Sequence, residues 1–286
     1  TITNFDIPES ICIMPWINLE IGQQGNISPC CVYKSDEYPN VKTVSVKEID
    51  YTDLRQEFLD GNKPKGCTIC WNNEKNNVMS KRLNDSYTHR DKIFDIDYND
   101  TKTNNLMSLD IKINKTCNLS CRICEPAFSS KWANEVSQHK KSYPQWLSRS
   151  LVKNEWTDNG EKVWRDLEEI GSDLLYLTFS GGEPLLDKTH SSMLQYFINK
   201  QKSIHMSLHY NTNATIFASN LIPLWNCFKQ VELSFSIDNT GKKFEYERYG
   251  VSWKTVVDTI EKYKKLIDTV LNFNVFSTIS TLNILE

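Results

Sequence analysis

The chain has no hydrophobic run long enough to span a membrane. Across 286 residues no apolar stretch approaches the ~18 residues such a helix needs, and the start has no signal-peptide pattern. An excess of either charge is also missing. With 33 Lys and Arg against 36 Asp and Glu, the formal net charge is -3, which leaves no footprint for nucleic acid or an anionic membrane surface. There is no internal repeat and no low-complexity tract. The five histidines lack metal-ligand spacing, so none is assigned a catalytic role. Without a secretory signal, the nine cysteines read as reduced thiols of a cytoplasmic protein. The length suits about two domains, each able to bury a core.

Three of those cysteines are crowded into Cys117-Asn118-Leu119-Ser120-Cys121-Arg122-Ile123-Cys124, directly after a strand-like stretch over residues 106–114. Soft thiolates favour iron-sulfur clusters, zinc or Cu(I). An ordinary four-iron cluster takes four cysteines, so a trio with no fourth member nearby suggests one iron open to a ligand. The residues alone leave two alternatives: a zinc knuckle completed by a distant ligand, and reduced core thiols without metal.

Residues 174–180, Leu-Leu-Tyr-Leu-Thr-Phe-Ser, read as a buried strand that runs into Gly181-Gly182-Glu183-Pro184, ahead of a helical pattern over about 188–202. Glycines at a strand's carboxyl end let the backbone approach a ligand closely, and a carboxylate there suits an ammonium group. A strand over 203–210 ends in Asn211-Thr212-Asn213-Ala214, and another over 231–237 ends at Asp238. A helix is expected over 253–271, with Val256, Val257, Ile260, Tyr263 and Ile267 on one face, and a last strand over 273–282. Strand, cysteine loop and helix, then strand and helix in alternation, argue for an α/β fold of parallel βαβ units.

The C-x3-C-x2-C spacing, followed by GGEP one strand and helix later, resembles the radical S-adenosylmethionine (SAM) superfamily. The resemblance implies a partial (β/α)6 barrel over 106–286, with a four-iron cluster held by Cys117, Cys121 and Cys124 and SAM chelated at its free iron. It assigns Gly181, Gly182 and Glu183 to the SAM amine, Ile123 to the adenine, Ser236 and Asp238 to the ribose and Arg248 to the SAM carboxylate, with Asn213 a further candidate. Read singly, these are equally a core isoleucine, polar strand-end caps and a surface arginine.

The first part of the chain carries its own cysteines: Cys12, the pair Cys30-Cys31 after Gly25, and Cys67-Thr68-Ile69-Cys70. A C-x2-C with two distant cysteines is what a structural zinc ribbon shows too. Within the resemblance, residues 1–84 look like a twitch or SPASM auxiliary module, here placed before the barrel. Cys12, Cys30, Cys67 and Cys70 would hold a second four-iron cluster, with Cys31 either replacing Cys30 or standing spare. Residues 85–105, polar and rich in Asp, Asn, Lys and Thr, read as a linker. The polar insertion over 141–160, with Trp146 and Trp156, is either a lid or partner surface, or covers tryptophans buried beneath it. Cys227 reads as a buried thiol.

What the resemblance implies chemically is an oxidoreductase-type enzyme that cleaves SAM reductively to a 5′-deoxyadenosyl radical and takes hydrogen from a substrate, a peptide being the leading candidate. Electrons would come from a protein such as flavodoxin or ferredoxin. The competing reading is a non-catalytic iron-sulfur or zinc protein serving as electron carrier, sensor or binding module, which accounts for the cysteines but not for GGEP, Ser236, Asp238 or Arg248. The chain is also expected to be a fragment. It begins without methionine and stops in or just after a fifth parallel strand, whose open edge would leave it poorly soluble and weak in SAM cleavage.

Overall fold

A computed structural model describes residues 9–90, 96–98, 100–102, 106–145, 147, 156–170, 174–187, 189–267 and 269–285. It is an α/β protein with a seven-stranded, mostly parallel sheet in the order β2-β1-β3-β4-β5-β6-β7. The strands are β1 (Asn18–Ile21), β2 (Ile27–Ser28), β3 (Ser108–Lys112), β4 (Tyr176–Ser180), β5 (Ser207–Thr212), β6 (Gln230–Ser236) and β7 (Leu271–Phe276). Among the described residues no helix is long and apolar enough to cross a membrane. The chain divides into two compact units, Thr1–Asp110 with Asn159–Leu174, and Ile111–Asp158 with Leu175–Glu286.

In the first unit β1 and β2 form an antiparallel hairpin pairing Glu20 with Ser28. The chain reverses at Gly25, whose φ of 86° is the left-handed conformation that glycine adopts without a Cβ penalty. Ile13, Met14, Trp16, Ile17, Leu54 and Phe58 make the core, against which Cys30, Tyr51, Cys67, Trp71 and Tyr98 pack. Asp166 fastens the segment Asn159–Leu174 to this unit by accepting from Ser45 Oγ at 2.6 Å and the Val46 amide at 3.1 Å. The helix Lys81–Thr88 runs through the start of the expected linker, its amino end capped by Ser80.

In the second unit, strands β4 to β7 pair in parallel; β4 and β5 alternate in burial, while β7 is buried only at Leu271. Leu177, Leu208, Val231 and Leu271 form one cross-strand row, and Phe179, Tyr210, Leu233 and Phe273 the next. Phe179 stacks on Tyr210 at 5.0 Å and Tyr210 meets Trp225 at 5.6 Å, so aromatic rings fill the space between sheet and helices. The carboxyl ends of these parallel strands are where the candidate ligand residues lie.

Several expectations need correction. Residues 203–205 form a 3-10 turn with Ile204 exposed, and the strand begins only at Ser207. The long helix is Trp253–Lys264, and its buried face is Val256, Thr259 and Tyr263 at i, i+3 and i+7. Val257 points away from that face and Ile267 lies past the helix end, and both are exposed. The last strand starts at Leu271 and ends at Phe276. Cys227 is exposed, because Trp225 takes the buried position beside it. Trp156 is buried, donating from Nε1 to the Lys112 carbonyl at 3.0 Å, so it offers no lid surface. Trp146 lies outside the described residues, as do parts of the expected linker and Lys188.

Candidate functional site: two cysteine sets

The loop that carries Cys117, Cys121 and Cys124 has little regular structure, so its shape comes from its neighbours. The amino end of the helix Ser130–Gln138 supplies three of them. Ser130 Oγ accepts from the Cys117 amide at 3.0 Å, the capping Ser129 donates to the Leu119 carbonyl at 2.6 Å, and Trp132 Nε1 donates to the Cys121 carbonyl at 2.7 Å. On the other side the Ser120 amide donates to Tyr249 O at 2.9 Å and the Arg122 amide to Glu247 O at 2.7 Å, while the Arg122 guanidinium lies over the Tyr246 ring at 4.1 Å. Sequence reasoning missed these supports. The Ser-Ser pair ahead of a helical run is an N-cap signal that points to the first of them.

GGEP packs directly on this loop. The Gly182 amide donates to Asn114 O at 3.1 Å and the Glu183 amide to Thr116 O at 2.6 Å. A Cβ on Gly182 would stand 2.3 Å from Thr116 O and 2.7 Å from the Lys115 carbonyl carbon, so only glycine fits. Gly181 has φ 106°. Glu183 is buried and binds the end of β5: Oε1 accepts from Thr212 Oγ1 at 2.8 Å and the Leu185 amide at 3.2 Å, and Oε2 from the Asn213 amide at 2.7 Å. Burial pushes its carboxyl up to about 7, against the pull of these three donors and of the Arg248 charge.

Of the remaining candidates, Ile123 is part of the loop itself, and Asn213, Arg248 and Asp238 lie around it. Asn213 donates from Nδ2 to Asn118 Oδ1 at 3.0 Å and reaches Cys117 Sγ at 3.9 Å. Arg248 and Asp238, expected to meet different parts of SAM, are bound to each other. Nε and Nη2 of the arginine reach Asp238 Oδ2 at 2.8 and 2.7 Å, and Asp238 Oδ1 accepts the Thr278 amide at 2.8 Å. Ser236 ends β6 half-buried, and Ile123 is 38% exposed, an apolar side chain at the surface beside the thiols.

Burial raises all three thiols: Cys121 to about 12, Cys124 to about 11 and Cys117 above its ordinary value, with Arg248 drawing Cys121 and Cys124 back. Thiols held protonated would have to lose their protons to bind iron, so assembly of a cluster on them would release protons and strengthen as pH rises. Iron incorporation at limiting iron and sulfide is expected to increase from about pH 7 to about pH 9. A flat profile would contradict iron binding through these protonated thiols.

In the first unit Cys12, Cys30, Cys67 and Cys70 line one small cavity with Met14, Tyr33, Lys81, Arg82 and Asp85, while Cys31 is exposed and outside that lining. Arg82 braces the cavity. It grips Glu74 with Nε at 2.9 Å and Nη2 at 2.6 Å, while Nη1 donates to Glu9 O at 2.8 Å and Ile11 O at 2.9 Å. One guanidinium thus ties the Cys12 segment to the helix Thr68–Lys75 that carries Cys70. Burial pushes Cys30 and Cys67 up to about 12.

Among the described residues no three His, Cys, Asp or Glu side chains meet closely enough to hold a single metal ion. A four-iron cluster is wider and takes one thiolate at each corner, a donor set that four sulfurs around one cavity supply. Four buried or half-buried thiols lining one cavity are the donor set such a cluster takes, so the residues present fit the group.

No protein-family model matches the chain, and no curated protein does. Among solved structures it is similar to native anSMEcpe with bound AdoMet, with a TM-score of 0.42 and 18% identity over 60% of this chain and 44% of that one. It is similar also to Streptococcus suis SuiB bound to S-adenosylmethionine, with a TM-score of 0.42 and 14% identity over 98% of this chain and 58% of that one. For SuiB bound to the precursor peptide SuiA the TM-score is 0.42 and the identity 15%, over 86% of this chain and 55% of that one. The chain spans about half the length of these structures.

Proposed function

We propose that the chain carries the SAM-cleaving core of a radical SAM enzyme, a partial (β/α)6 barrel over 106–286, preceded by a twitch or SPASM-like module with a second cluster. The observation that carries this reading is the junction of the two motifs: GGEP lies on the cysteine loop with no room for a Cβ, and Asn213 and the charge of Arg248 reach the same thiols.

Cys117, Cys121 and Cys124 would hold a four-iron cluster with one iron left for SAM. The chemistry such a cluster would supply is one-electron reductive cleavage of SAM to methionine and a 5′-deoxyadenosyl radical, which would take a hydrogen atom from the substrate and end as 5′-deoxyadenosine. The protein's part is placement. Gly181 and Gly182 bring backbone close to the ligand, and Glu183 turns a buried carboxylate toward the SAM ammonium. Three donors leave that carboxylate further lone-pair capacity. Arg248 Nη1, the guanidinium nitrogen not given to Asp238, meets the SAM carboxylate. Ile123 offers an apolar face to the adenine, and Ser236 and Asp238 stand at the ribose. Cys12, Cys30, Cys67 and Cys70 would hold the second cluster, whose chemistry would be exchange of single electrons with the substrate radical or ligation of the substrate. A peptide substrate, a flavodoxin or ferredoxin as electron donor, and a cytoplasmic setting complete the proposal.

Glu183→Gln tests the amine site. It keeps the side chain's shape and loses the charge, which should cost ~1.5 to 3 kcal/mol in SAM binding, or roughly ten- to a hundredfold in affinity. Both clusters should assemble as before. Unchanged affinity by titration of the reduced protein removes Glu183 from the site.

A further inference from the structure

The helix Lys81–Thr88 brings Lys81 and Asp85, one turn apart, to the wall of the cavity lined by Cys12, Cys30, Cys67 and Cys70. Lys81 Nζ stands 2.9 Å from Asp85 Oδ2, with side-chain exposures of 29% and 10%. The bracing of this cavity belongs to Arg82, so the pair is not needed for that. Burying an ion pair against apolar surroundings costs desolvation that the pair alone does not recover. Its charges also reach the thiols. Burial lifts Cys30, and the Lys81 ammonium draws it back. Burial likewise lifts Cys12, and Asp85 adds to the rise.

A cluster held by four thiolates is anionic and becomes more so when it gains an electron, so a nearby cation favours the reduced form and a nearby anion the oxidised form. Net charge and hydrogen bonding around a cluster set its potential. We propose that Lys81 and Asp85 are positioning residues that set the reduction potential of the N-terminal cluster, Lys81 raising it and Asp85 lowering it. This rests on the reading that the four cysteines hold a four-iron cluster.

The test uses the full chain with Cys117, Cys121 and Cys124 replaced by alanine, so that a single cluster remains, titrated with dithionite and redox dyes and followed by electron paramagnetic resonance. Lys81→Met should move the midpoint to a more negative value by about 59 mV, a tenfold change in a one-electron equilibrium. Asp85→Asn should move it the other way, and Lys81→Arg should leave it near the parent value. Midpoints that do not move at equal iron and sulfide content overturn the proposal, as do shifts of Lys81→Met and Asp85→Asn in the same direction. If Lys81→Met fails to hold the cluster, Asp85→Asn decides alone: a positive shift supports the pairing and no shift overturns it. A parent protein that binds zinc, or no metal, removes the cluster reading itself and the proposal with it.

Discussion

Replacing Cys117, Cys121 and Cys124 together by alanine is expected to halve the iron and sulfide of the reconstituted protein and to abolish formation of 5′-deoxyadenosine from SAM. The two cysteine sets lie in different compact units, and each has its own supports. The trio's loop is held by Ser129, Ser130, Trp132 and the segment 247–249. The other cavity is held by Arg82. Loss of one cluster should therefore leave the other with its optical and paramagnetic signals intact. Iron and sulfide analysis with chromatography of the SAM products checks both halves. Loss of both clusters together would show that the sets are not independent.

Gly182→Ala is the second change with a large expected effect, although it removes no ligand. The added methyl would overlap Thr116 O and the Lys115 carbonyl, both main-chain groups that cannot swing aside. Overpacking costs ~1–3 kcal/mol even where side chains give way, and here the chain between Asn114 and Cys117 must move instead. We expect the variant to lose SAM binding and most of the iron held by the trio while keeping the N-terminal cluster. Calorimetric titration with SAM and iron analysis measure this. A variant that binds SAM as the parent does would mean that GGEP does not rest on the cysteine loop as described.

The features that were legible in the sequence are local. The cysteine spacing, the strand before GGEP and the alternation of strand and helix are short-range patterns; β4 and β6 appear close to where periodicity puts them, and the helix at Trp253 starts where expected but ends seven residues early. What was not legible depends on partners far along the chain. Glu183 finds Thr212 and Asn213 across the sheet, Asp166 finds Ser45, and Asp238 takes Arg248 as a partner. No local pattern encodes these. Ile204 looked like a strand residue by alternation, yet it sits on an exposed 3-10 turn because Ser207 is the first residue that pairs with the neighbouring chain, donating to Leu175 O at 2.7 Å. The Lys-Lys-Leu-Ile run after residue 263 has good helix formers, but the helix stops at Lys264 so that Leu271 can pair with Val231. Glu183 illustrates the limit at the site itself. Its motif was readable, but its burial and its role in joining GGEP to β5 were not.

The most direct measurement of the central claim is the paramagnetic spectrum of the reduced protein with and without SAM, taken on the parent chain and on the variant lacking Cys117, Cys121 and Cys124. SAM binding at an open iron should change the signal of one cluster in the parent and leave the signal of the variant's remaining cluster untouched. A parent that carries both clusters and whose spectrum does not respond to SAM would contradict the account.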